Sequence, residues 1–158
     1  MSDSNATVVL SQGQGRTIRV IAWLGIVGGI LLIVVGIVAW IGVSTQLRAE
    51  NITIPDDAMA MQGQQVTGPI SAYIQADVIN HHALEATDGS TYAELDRDDP
   101  ARQTVMTASF LRASLFTSVV SFGLALFAAG VGVLFILFGV ALNVLVPRHR
   151  AQPAPATE

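Results

Sequence analysis

The chain has 158 residues, no cysteine, 51% hydrophobic and 13% charged residues, and a net charge of −4. The charged share is about half the ~25% usual for a soluble domain, so the composition is that of a membrane protein. It excludes a disulfide scaffold, a thiolate metal site and a cysteine nucleophile, and eight arginines with no lysine against twelve acids leave no basic footprint for nucleic acid.

Taken in chain order, residues 1–18 begin with a Ser-, Asn-, Gln- and Gly-rich stretch and read as a disordered tail. Val20 to Val43 is free of charge over 24 residues, which makes ~36 Å of helix against a hydrocarbon core of ~30 Å. A transmembrane helix over 19–44 follows. It exceeds the ~7–15 residues of a signal-peptide core, and Thr45 to Arg48 offers no small-residue cleavage site. Trp23 and Trp40 near its ends suit interfacial anchoring.

Residues 45–99 predict a mainly helical loop domain. Asn51 to Ile54 alternates and stops at Pro55, a short extended segment. Gly68-Pro69 starts a helix that Asp88-Gly89 stops, giving Pro69 to about Thr87. Thr91 and Glu94 have capping-box spacing for a short helix through Asp96. Asp99-Pro100 then starts a helix with no Gly or Pro before Gly123, so 100–118 forms a helical stalk running unbroken into a second span over 119–146. Pro147 ends it, and the Pro- and Ala-rich 147–158 reads as a second disordered tail.

The predicted fold class is all-α: a two-span antiparallel transmembrane hairpin with a small extracytoplasmic loop domain. Arg16, Arg19, Arg148 and Arg150 sit in short terminal segments, whereas Arg48, Arg97, Arg102 and Arg112 are diluted among ten acids over residues 44–112. The positive-inside rule therefore puts both termini in the cytoplasm of a multi-pass protein of the cell membrane. Small residues recur in alternating steps of three and four in both spans. The first carries Ala22, Gly25, Gly29, Leu32, Gly36, Ala39 and Val43; the second carries Ser114, Ser118, Ser121, Ala125, Ala128, Gly132, Phe135 and Gly139. Because lipid gives helices no hydrophobic reason to associate, such stripes are where membrane helices approach closely. Gly123 and Gly130 fall on the other side of the second helix and can admit another chain.

Candidate chemistry lies in the loop. Asp77, His81 and Glu85 recur every four residues with His82 adjacent, on a face shared with Ile70, Ile74 and Val78, and Met59 and Met61 add two thioethers. Carboxylates with histidines can hold a first-row metal, and thioethers with histidines suit Cu(I). The alternative is an amphipathic helix with contacts between neighbouring turns and methionines packing the loop. No Walker A, GxGxxG or GxSxG motif occurs. No ionisable residue lies in Val20 to Val43 or Ala113 to Val146, which argues against a lone-hairpin transporter.

Three stretches, Ile70 to Ala86, Thr91 to Arg102 and Ala108 to Val119, resemble a family of small actinobacterial two-span membrane proteins often labelled aromatic ring-opening dioxygenase LigA. The resemblance covers roughly residues 20–145 and implies membrane location and an actinobacterial source. An extradiol dioxygenase needs two histidines and a carboxylate on one iron. Adjacent His81 and His82 diverge by about 100° on a helix, and His149 falls beyond the second span. The expectation is thus a non-enzymatic accessory or scaffolding subunit without cofactor, embedded in membrane lipid and docking another membrane or envelope protein. Extracytoplasmic copper or zinc handling is the alternative, and ring-opening dioxygenase a distant third.

Overall fold

A computed structural model describes residues 12–146. They form three helices, α1 (Gln12–Ala49), α2 (Pro69–Glu85) and α3 (Ala101–Leu145), and among the described residues there is no strand beyond one isolated bridge, Thr53 to Gln65. The chain is all-α, and α1 and α3 are both long and apolar enough to cross a membrane.

The described residues fall into two compact parts, 12–33 with 130–146, and 34–129. In the first, α1 and α3 meet backbone to backbone. A Cβ added to Gly29 would strike the Gly132 carbonyl oxygen and lie 2.8 Å from Ile136 Cγ1; one on Gly132 would lie 2.5 Å from the Gly29 oxygen. One on Gly139 would lie 2.6 Å from the Ala22 oxygen, and one on Gly25 would reach the Phe135 oxygen at 3.5 Å. Real Cβ atoms do not approach that closely at the first three positions, so only glycine fits.

The same antiparallel register holds within the second part. A Cβ on Gly36 would lie 2.6 Å from the Ala125 oxygen and 3.3 Å from Ala129 Cβ. One turn on, Trp40 packs edge-on against the buried Phe122, ring centroids 4.7 Å apart. This corrects part of the expected stripe. Ala39, Ser114 and Phe135 are exposed, because the facing positions are taken by Trp40 and by the inward Leu115 and Ile136. Ala125 is buried and Ala128 half-buried. Ser118 and Ser121 are also half-buried, but their hydroxyls donate to Ser114 and Thr117 carbonyls of α3 itself rather than across to α1.

The N-terminal expectation also changes. Residues 12–18 are helical rather than part of a disordered tail. Thr17 Oγ1 donates to Gly13 O, and a Cβ on Gly15 would sit in van der Waals contact, 3.6 Å, with Val146. A helix turn that touches a neighbour gains packing that its composition alone does not reveal. The rest of the expected tails, 1–11 and 147–158, with Pro147, Arg148, His149 and Arg150, lies outside the described residues.

Around α2 the loop residues Ile54, Ala58, Val66, Ala72, Ile74, Ala76 and Val78 form a core with Leu47 of α1 and Leu115 and Phe122 of α3. Ile52 to Ile54 is extended as expected, whereas Asn51, at φ +51°, belongs to the turn that follows α1; Ile54 N–H donates to Gln64 O while Val66 N–H donates to Ile52 O, both at 2.9 Å. Pro69 is the first helical residue of α2, behind Gly68, whose N–H donates to Ser71 Oγ. The helix ends at Glu85, two residues short of Thr87, because Thr87 Oγ1 donates back to Ala83 O and Gly89, at φ +86°, turns its N–H onto Leu84 O. Residues 91–96 form a turn, not the expected helix. The cap itself is present: Glu94 accepts from the Thr91 N–H and hydroxyl at 2.7 and 2.8 Å, bonds that hold its carboxyl below the usual range. Only one turn fits before Asp98-Asp99-Pro100, too short to repay helix nucleation. Arg102 ties this turn to α3 by donating to Leu95 O at 2.7 Å and stacking over Tyr92.

The helix contact is testable. Gly29→Leu or Gly132→Leu should each destabilise the detergent-solubilised chain by roughly 1–3 kcal/mol, the usual cost of overpacking, whereas Gly42→Leu, with open space around it, should leave the melting midpoint unchanged or slightly raised, since it only removes a helix-interior glycine.

Candidate functional site

The C-terminal half of α2 carries the histidines, and its helical period turns Ile74 and Val78 into the core while Asp77, His81, His82 and Glu85 stay exposed. The Asp77–His81–Glu85 face is therefore separate from the Ile74–Val78 face with which the sequence grouped it. Ile70 is 68% exposed and belongs to neither the core nor the histidine cluster.

The two histidines take different partners. His81 Nε2 lies 3.2 Å from Glu85 Oε1 one turn on, both well exposed. His82 Nε2 lies 2.5 Å from Oδ2 of Asp57, 25 residues back in the turn after Pro55. The hydrogen bond from His82 is the main influence holding the Asp57 carboxyl below its ordinary range. Asp57 is the site residue that the sequence conceals. No periodicity links it to α2, and it arrives there because the 51–66 segment doubles back on itself.

Metal candidates do not converge. The His81 and His82 rings are tilted by 43° with centroids 6.3 Å apart, each imidazole on its own carboxylate. Among the described residues no three His, Asp or Glu side chains are grouped to hold a metal ion. The methionines separate as well: Met61 packs against the loop core, whereas Met59 is 75% exposed. No hydroxyl is hydrogen-bonded to either imidazole among the described residues. What the His82–Asp57 pair does physically is fasten the 51–66 segment to α2.

Beside His82, α2 and α3 leave a cleft of about 450 Å³ lined by Ile79, Ala83, Ala108 and Leu111, with Gln103 and Thr104 at its polar side. Farther along α3, Gly123 and Gly130 each have open space where a side chain would be. No family model, curated protein or solved structure matches the chain.

Two outcomes follow from these contacts. Since the Asp57 carboxyl is lowered in the folded chain, its contribution is present at neutral pH and is lost as pH falls through the lowered value. Protection of the Ile54 and Val66 amides, taken relative to the intrinsic exchange rate at each pH, should accordingly fall as acid titrates Asp57, and Asp57→Asn should show the lower protection already at neutral pH. In calorimetry, the full chain titrated with Zn(II) or Cu(I) should show no site tighter than micromolar, as expected for imidazoles that do not share a ligand position.

Proposed function

We propose that the chain is an integral protein of the cell membrane, with α1 crossing over 19–44 and α3 over 119–146 as an antiparallel hairpin. Both termini are cytoplasmic and residues 45–118 extracytoplasmic. One observation carries the membrane reading. In the most apolar windows of α1 and α3 only 11% and 17% of the residues are buried, and side chains such as Leu24, Val38, Leu126 and Phe138 stand exposed around the seam. Apolar surface on that scale is stable in hydrocarbon and would drive aggregation in water.

Within that setting the chain acts as a non-enzymatic accessory or scaffolding subunit that docks another membrane or envelope protein. Support comes from Gly123 and Gly130, two turns apart on α3 and open to close approach by another helix, and from a loop domain folded into one core with Leu47, Leu115 and Phe122 of the long helices.

Alkaline carbonate should leave the chain in the membrane pellet; release into the supernatant would overturn the membrane reading. Purification in mild detergent should recover a stoichiometric partner that Gly123→Leu/Gly130→Leu removes. Isolation of the wild-type chain alone as a monomer would overturn the docking reading.

A further inference from the structure

Arg112 is placed where a buried cation ordinarily finds a carboxylate, and it has none. The residue is half-buried, its Nε is shielded from solvent without a hydrogen-bond partner, and its guanidinium sits 5.8 Å over the Phe116 ring. Residues 44–112 contain ten acids, yet the ion pairs among the described residues are the two histidine contacts alone. Arg48 is likewise unpaired. It stands near the level of Arg112, since Gly36 faces Ala125 and Leu47 and Leu115 share one cluster. Both arginines are the charges that border the uncharged stretches of α1 and α3. An unpaired, partly desolvated guanidinium is costly unless an anion meets its remaining donors.

The surface beneath Arg112 identifies that anion. At helical steps of four, Arg112 is followed by Phe116, Val120 and Leu124, the last two 61% and 63% exposed. Phe116 meets the exposed Tyr73 edge-on at 5.9 Å, and Ile70 lies exposed about one turn earlier on α2. The ridge, which winds about 120° around α3, thus reads cation, aromatic, aliphatic, aliphatic over ~18 Å of helix, the polarity order of a phospholipid from phosphate through glycerol to acyl chain in a leaflet of about 15 Å.

We propose that this face seats one anionic phospholipid. Its phosphate engages the Nη groups of Arg112, with Arg48 adding positive potential, its glycerol region lies against Phe116 and Tyr73, and an acyl chain runs along Val120 and Leu124. Arginine suits the role because its planar fork binds phosphate through two donors. The proposal rests on the reading that α3 crosses the bilayer.

The test uses the full chain in detergent, melted with phosphatidylglycerol, phosphatidylcholine or inorganic phosphate. Excess phosphatidylglycerol should raise the midpoint by roughly 3–6 °C, phosphatidylcholine less, because its cationic choline faces two arginines, and inorganic phosphate not at all. Arg112→Gln should weaken the lipid response about tenfold, the loss of a charge-assisted hydrogen bond. Arg112→Lys should retain part of it, and Arg97→Gln should leave it unchanged. Equal responses in wild type and Arg112→Gln would overturn the proposal, as would equal losses in Arg112→Gln and Arg97→Gln, or an equal rise with inorganic phosphate. If Arg112→Gln does not fold, a wild-type response to phosphatidylcholine matching that to phosphatidylglycerol overturns it alone. A carbonate-resistant chain with no lipid response would defeat this inference but not the membrane reading; a carbonate-extracted chain would defeat the membrane reading itself.

Discussion

Where Gly29 meets Gly132, two helix backbones come close enough that each occupies the space a side chain of the other would need. The contact repeats at Gly139 against Ala22 and at Gly36 against Ala125. It is a constraint of shape more than of hydrophobicity. On the reading that both helices lie in lipid, where a helix gains nothing by hiding leucine, dispersion contacts between closely fitted backbones are what remains to hold α1 to α3. Each glycine carries a conformational penalty relative to alanine in a helix interior, and the close approach is what offsets it.

The loop core leans on the pairing of α1 and α3 within residues 34–129. Leu47 near the end of α1 and Leu115 and Phe122 of α3 belong to the same cluster as Ile54, Val66, Ile74 and Val78. A segment of this size buries too little apolar surface to stand alone, and the paired helix ends supply the missing wall. The Trp40–Phe122 contact marks the change from glycine-spaced to side-chain-filled packing within residues 34–129. The His82–Asp57 bond and the Arg102–Leu95 bond then pin the outer turns to that core. Each is a local fastening at the periphery.

Much of the backbone was legible because its signals are local. Gly68-Pro69, Asp88-Gly89 and Asp99-Pro100 act on neighbouring φ/ψ angles and hydrogen bonds, and α2 and α3 begin and α2 ends within two residues of where they point. Thr91 and Glu94 were legible in the same way, and their bonds formed, but a cap does not make a helix when the chain must turn again after five residues. The seam was readable at its glycines and misread at Ala39, Ser114 and Phe135. Sequence spacing names a stripe of the right size, while the angle at which two helices meet selects which neighbouring residue faces inward.

By itself the sequence determined two helices with long charge-free apolar stretches, an acidic, partly helical segment between them and the glycines along which the helices can approach. These depend on composition, on the 3.6-residue period and on turn chemistry, all written within a few residues of where they act. Only the tertiary structure decided that His82 belongs with Asp57 and not with His81, that Met59 and Met61 part company, and that Arg112 pairs with none of the ten acids of residues 44–112. Those outcomes turn on how the 51–66 segment folds back and how α2 lies on α3, distances set by packing between residues far apart in the chain. A side chain's partner is a property of that packing, and no local spacing encodes it.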